Sequence, residues 1–170
     1  MRQPQEMASS STAASEIGAA LGRFPSGLFV ISWRSQDRDR VMLASWAMQA
    51  GFEPPMVSLA VAPSREFFTA ARCRVPFVIN VLAASQRNLL ARFGKPIAEG
   101  EDPFDGIAMH RITDDLAVID GAASWLACRM VGEATVDGAD HVVVVARVES
   151  AGGTAAIEPL VHIRKNGLRY

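Results

Sequence analysis

The chain has 170 residues, 49% of them hydrophobic, enough for one domain with a sizeable core. Its 17 Lys and Arg against 18 Asp and Glu leave a net charge of −1, without the broad basic footprint that nucleic acid or an anionic membrane surface attracts. The two cysteines, Cys73 and Cys128, form no CxxC pair and fit buried free thiols in a reducing compartment.

The first twelve residues, polar and Ser-rich, read as a disordered lead-in without the apolar run of an export signal, and one domain is expected over 13–170. No segment approaches the roughly 18 apolar residues of a membrane span, so a cytoplasmic location without membrane partners is expected. From Ala13, Ile17, Leu21 and Phe24 fall at helical spacing, and FPSG then turns the chain. GLFVISW, RVMLASWAM, PMVSLAV and VPFVINVL follow as short β-rich runs, punctuated by RSQDRDR and GFEPP. SREFFTAARC and SQRNLLARFGKP read as short helices. In the second, Leu89, Leu90 and Phe93 share a face, Gly94 is suited to C′, and Pro96 blocks continuation. IAEGEDPFDG is a polar loop, after which AASWLACRMVGEATVD, DHVVVVARVES and EPLVHIRKNGLRY resume strand character.

Seven or so strands with a few short helices, and no regular strand–helix alternation, predict a mainly β fold, a barrel rather than a doubly wound sheet. There is no GxGxxG and no GxxxxGK[ST], which removes the usual pyrophosphate cradles. His110, His141 and His162 are far apart and belong to no recognised ligand spacing, so no metal site is expected. No GxSxG occurs, and neither cysteine has the local context of a reactive thiolate.

One stretch is unusual. Met42 to Gly51 packs Ala44, Ser45, Ala47, Ala50 and Gly51 into ten positions, broken by the large Trp46. A flat aromatic ligand with a phosphate tail needs small side chains for close approach, polar groups for its rim, and a cationic or helix-start anchor. Ala44, Ser45, Gln49, Ala50 and Gly51 meet the first two needs. PSRE meets the third, with Ser64 placed as N-cap and Arg65 in the first helical turn. The plainer reading stands beside it: Ala and Gly permit tight barrel packing, Ser64 only caps, and Arg65 is solvated.

The succession FPSG, MLASWAMQAGFEPPMVSLAVAPSRE, FVINVL, LACRMV, ADHVVVVARV and PLVHIRKNGLRY resembles the flavin reductase-like family, whose fold is an FMN-binding split barrel. It is most similar to the flavin reductase module at the C-terminal end of cyanobacterial flavodiiron proteins. The resemblance covers about residues 17 to 170. It implies FMN as cofactor, NAD(P)H as electron donor, and a homodimer with flavin sites at its interface. The implied activity is NAD(P)H:flavin oxidoreduction, with hydride passing from nicotinamide to flavin N5. A flavoprotein reduced by a redox-protein partner, or a split-barrel module that binds without redox chemistry, stays open beside it.

Carried over by position, the flavin-contacting residues are Ala44, Ser45, Trp46, Gln49, Ala50 and Gly51, with Ser64 and Arg65 on the phosphate-side turn and Asn80 on a strand beside the flavin. His141 matches the His of the family's Gly-Asp-His motif near the nicotinamide. A lone His before VVVV also suits a plain strand edge. Many members carry Thr at Leu43, Ser at Trp46 and Gly51, and Gly at Ala139. The flavodiiron iron-ligand motif is not among these residues, so no oxygen reduction at a diiron centre is implied.

Overall fold

Two residues close the barrel. The computed structural model, which describes residues 14–98 and 100–168, contains a seven-stranded antiparallel sheet. Beyond the short β1 (Ser26–Gly27), the strands of that sheet, in spatial order, are β3 (Arg38–Ala44), β2 (Phe29–Ser35), β6 (Phe77–Val81), β9 (Ser124–Ala134), β10 (Val142–Gly153), β5 (Met56–Val61) and β4 (Ala47–Gly51). β3 and β4 are its opposite edges, yet only Ser45 and Trp46 separate them in sequence. The three Cα steps from Ala44 to Ala47 reach at most about 11 Å, so the sheet must roll until these edges come close. The edges do not pair with each other, and the barrel is split there. RVMLASWAM, expected as one strand, is therefore two.

Around this sheet lie α2 (Glu66–Arg72), α3 (Leu89–Phe93) and the hairpin of β7 (Met109–Arg111) and β8 (Ala117–Ile119). The sequence reading assigned no strands to this hairpin. Its strands are three residues each, and its turn carries Asp114 and Asp115 at φ 60° and 56°, a conformation their sequence does not advertise. Ion pairs hold the turn: Arg34 lies 3.0 Å from Asp115, and Arg111 grips Asp39 through two contacts at 2.6 and 2.7 Å.

Alternation along β2 divides the core. Ile31 and Trp33 face the barrel interior with Leu59, Phe77, Ile79 and Val144, while Val30 joins Leu28, Leu82, Leu89, Phe93, Phe104 and Ile119 in a second cluster. α2 contributes Phe67, Phe68 and Ala71 to the barrel core, the Phe67 ring centroid lying 4.9 Å from that of Phe77 and 5.4 Å from that of Trp33. Burying such a side chain contributes about 1.5–3 kcal/mol. Phe104 anchors what reads in sequence as a polar loop. Cys128 is buried in the barrel core, which pushes its thiol up to about 12, whereas Cys73, expected to be buried, is exposed because it sits at the solvent-facing end of α2.

The chain forms two compact units, one of residues 27–160 and one made from the segments up to Ser26 and from Val161 onward. In the second, residues 14–22 form the helix α1, and the Gly167 N–H donates to the Gly18 carbonyl at 2.7 Å. Gly18 and Gly22 are buried, and a Cβ on Gly22 would stand 2.7 Å from the Arg164 carbonyl. Glycine is therefore the inward side of this helix, and Ile17, Leu21 and Phe24 remain exposed. The strand expected over EPLVHIRKNGLRY shortens to β11 (Val161–His162). The expected lead-in over 1–12 lies outside the described residues.

Candidate functional site

The Ser45–Trp46 link forms one end of a track along the split. The Ala60 N–H donates to the Trp46 carbonyl at 3.0 Å, tying the link to β5. β4 then runs back along β5, with Ala47 opposite Leu59, Gln49 opposite Val57 and Gly51 opposite Met56. A register shift between Gln49 and Gly51 leaves Ala50 as the bulged residue. Because β4 is an edge, its outward backbone N–H and C=O groups have no strand partner. Gln49 and Ala50 are exposed, and the Gln49 Nε2 donates to the Gly51 carbonyl at 3.3 Å.

At the link, Ser45 is only 6% exposed, and its Oγ is buried with no hydrogen-bond partner among the described residues. An unpaired buried hydroxyl costs about 1–3 kcal/mol. At the opening between the two sheet edges, a polar atom of a bound molecule would complete its bonding.

Trp46 meets His141 from across the chain. Their ring centroids are 4.8 Å apart with planes at 64°, an edge-on contact. The meeting follows from register: Val142 pairs with Val61, so His141 stands next to the end of β5, as the Trp46 carbonyl does through Ala60. His141 Nδ1 lies 2.9 Å from Asp140 Oδ1, and this bond, with the positive charge of a protonated ring, holds the Asp140 carboxyl below the usual carboxylate range.

Ser64 and Arg65 lie in the turn after β5, both exposed, with the Arg65 N–H bonded to the Ala62 carbonyl at 3.0 Å. Here the helix starts later than expected. Arg65 itself is the N-cap with extended φ/ψ, no side chain caps α2, and Ser64 is one position outside. The expected N-cap role of Ser64 and first-turn place of Arg65 are thus both corrected. The cause is that β5 already ends at Val61 and the turn needs 62–65.

The structure brings Ser45, Trp46, Ser64, Arg65 and His141 toward one end of β5, and sets Gln49, Ala50 and Gly51 along the edge strand leading away from it. Ala44 closes β3 just before the link. Asn80 is not among them. Its side chain is fully buried: Nδ2 donates to the Val30 carbonyl at 3.0 Å and to Ser32 Oγ at 3.1 Å, and Oδ1 accepts from the Ile119 N–H at 2.8 Å. Ser32 Oγ in turn donates to the Ala117 carbonyl at 2.7 Å. The Trp46–His141 contact and the Asp140 bond escaped sequence reasoning. Adjacency was the available signal for Asp140, while the contact spans 95 positions and needs the register.

Among the described residues no cluster of His, Cys, Asp and Glu could hold a metal ion, and no helix is long and apolar enough to cross a membrane.

Residues 21–167 match the model of a family described as flavin reductase like domain. Over 158 residues the chain is 34% identical to the putative diflavin flavoprotein A 3 of Nostoc sp. (strain PCC 7120 / SAG 25.82 / UTEX 2576), covering 91% of this chain and 27% of that protein. It is 31% identical to the diflavin flavoprotein A 1 of Synechocystis sp. (strain ATCC 27184 / PCC 6803 / Kazusa), covering 92% of this chain and again 27% of the relative. The chain thus spans about a quarter of the length of these curated relatives. Among solved structures, the NADH:FAD oxidoreductase SgcE6 of Streptomyces globisporus C-1027 superimposes with a TM-score of 0.76 at 21% identity, over 98% of this chain and 93% of that one. The styrene monooxygenase flavin reductase (SMOB) of Pseudomonas putida S12 gives 0.72 at 22% identity, over 85% and 90%. Likeness at such identities establishes the fold, and it is the split barrel expected from the sequence.

Proposed function

The chain belongs to the flavin reductase-like family, and on that premise we propose that it is a flavin-dependent oxidoreductase: FMN lies along Ala44–Gly51 and is reduced by NAD(P)H. The observation that carries this reading is the Ser45 hydroxyl, buried and without a partner among the described residues at the split between the sheet edges. A ligand polar atom there completes its bonding. Ala44, Ala50 and Gly51 leave room for a flat ring to approach, and the outward backbone groups of β4 give its rim hydrogen bonds.

Arg65, exposed in the turn after β5, takes the phosphate through its forked guanidinium, with Ser64 beside it. Trp46 and His141 form a wall of two rings at that end. Bound flavin supplies the redox chemistry, accepting hydride at N5, and the protein supplies position and electrostatics. No side chain has to move a proton for that transfer. Asn80 acts through structure: it fastens the β7–β8 hairpin to β2 and shapes the wall without meeting the ligand.

The reading includes a homodimer. Phe52, at the end of the track, is 88% exposed and Met48 is 70% exposed, and Ile17, Leu21 and Phe24 are also in solvent. A second copy covering such side chains suits both solubility and the family's habit of completing its site at an interface.

A visible spectrum tests the proposal. Protein mixed with FMN should stay yellow through gel filtration and bleach when NADH or NADPH is added. Failure to take up FMN would sink the reading. Uptake without bleaching by either nucleotide would instead favour a carrier reduced by a protein partner.

A further inference from the structure

A cleft of about 200 Å³ lies between the last turn of α2 and β9, lined by Ala71, Arg72, Arg74, Met130, Gly132 and Glu133. Three local features open it. The register of β9 against β10 slips between Met130 and Gly132, so Val131 is bulged and stands 44% exposed at the same cleft. Gly132 has no side chain, and a Cβ there would meet nothing within 4 Å. Arg74 takes a left-handed φ of 58°, uncommon for a residue with a Cβ, and its side chain returns to β9, where Nη1 donates to the Met130 carbonyl at 3.4 Å.

Both arginines keep most of their donors. That long bond is the only one from the Arg74 guanidinium to a described residue. Arg72 lies over the Phe68 ring, its guanidinium carbon 5.7 Å from the centroid, and its ion pair is a loose contact of Nε with Glu133 at 3.4 Å. The helix end makes no claim on them, because the carbonyls of Thr69, Ala70 and Ala71 already accept from the N–H groups of Cys73, Val75 and Arg74. Two guanidinium forks against one carboxylate leave the cleft cationic, over a floor of Ala71, Val131 and bare Gly132 backbone. The forks suit a phosphate, and the floor suits an organic body that carries it.

We propose that this cleft binds a phosphate monoester, the 2′-phosphate on the adenosine half of NADPH, and so gives the chain a preference for NADPH over NADH. The choice of nucleotide rests on the reading above, in which nicotinamide meets the flavin beside His141. Register connects the two places. Glu133 pairs with Val144, so the cleft lies one strand over and about 10 Å along from His141, within the span of one dinucleotide. NADH offers a neutral hydroxyl where NADPH offers a dianion, and a guanidinium pair separates these two by charge.

Calorimetric titration with 2′,5′-ADP and with 5′-AMP tests the site, since the two differ only in the 2′-phosphate and neither needs FMN. The 2′,5′-ADP should bind about ten-fold tighter, the equivalent of one charge-assisted hydrogen bond. Arg72→Gln and Arg74→Gly should each bring the two affinities close to equality. Glycine at 74 accepts the left-handed backbone, so that variant keeps the fold. In FMN-loaded protein the same variants should raise KM for NADPH about ten-fold more than KM for NADH. Absent 2′,5′-ADP binding, equal binding of the two nucleotides, or variants that keep the native ratio overturn the site. Inorganic phosphate binding as tightly as 2′,5′-ADP, and weakened equally in the variants, overturns the nucleotide assignment. Loss of the flavin reading shows separately, as absent FMN uptake, and the titration still decides whether the cleft takes a 2′-phosphate.

Discussion

Asn80 and Ser45 are both polar and both buried, at 0% and 6% exposure, and they are treated in opposite ways. Asn80 spends its amide on three bonds that join β2 to the β7–β8 hairpin. Ser45 spends its hydroxyl on no bond among the described residues. A buried polar group that is satisfied belongs to the scaffold, where removing it orphans its partners. One that is unsatisfied is a standing cost that a ligand can repay. Asn80 is of the first kind and Ser45, at the split between β3 and β4, is of the second; Trp33 Nε1 in the barrel core is also unpartnered among the described residues, but it lies inside the packing rather than at the split.

The largest effect should therefore come from the scaffold. Asn80→Ala leaves the Ile119 N–H without its acceptor and a cavity beside Ser32, and should lower unfolding free energy by about 3 kcal/mol. Urea denaturation reads this, and the FMN affinity of the folded fraction should barely change. A selective loss of FMN binding with normal stability would return Asn80 to the site.

Arg65→Ala should weaken FMN binding by about 1.5–3 kcal/mol and leave riboflavin, which has no phosphate, nearly unaffected. Equal losses in the two titrations would move Arg65 away from the phosphate. His141→Ala should slow bleaching of bound flavin by NADH about ten-fold, about 1.4 kcal/mol, and change flavin affinity less than that. Stopped-flow traces beside a flavin titration separate the two. If lost flavin accounts for all of the slowing, His141 serves the fold.

Gly51→Ser should have the smallest effect. Gly51 is not in the left-handed region, so a Cβ is sterically allowed by the backbone. It would stand 3.2 Å from Met56 Cε and from the Pro54 carbonyl; the methyl can swing aside and the carbonyl must give slightly. One restored hydroxyl should add about 0.5–1 kcal/mol of FMN affinity with a small drop in melting midpoint. A lower midpoint without tighter FMN would show that the strand end does not meet the flavin.

The strands were legible because β-rich runs of four to eight residues stand between charged or Pro/Gly punctuation, and the small-residue stretch at Ala44–Gly51 was visible as composition. What the sequence hid depends on closure. Nothing in RVMLASWAM marks the break at Ser45–Trp46, since Ser and Trp both suit a strand, and the break exists because the sheet's ends must be joined. Asn80 entered as a candidate only through the resemblance of FVINVL to the family's strand beside the flavin. Its partners are 39 to 50 positions away, in a hairpin too short to leave a periodic signal and on the neighbouring β2. The Ser64 cap failed more locally, through a helix start shifted by one residue.

Ser45→Ala tests the central claim most directly, because scaffold and ligand roles predict opposite signs. Removing an unpartnered buried hydroxyl should leave the FMN-free protein as stable as before, or more stable by about 1 kcal/mol, while FMN affinity falls by about 1 kcal/mol. Melting curves without FMN and a flavin titration on the same preparation read both quantities. A destabilised FMN-free protein that binds FMN as tightly as the native chain would contradict the assignment of the split as the flavin site.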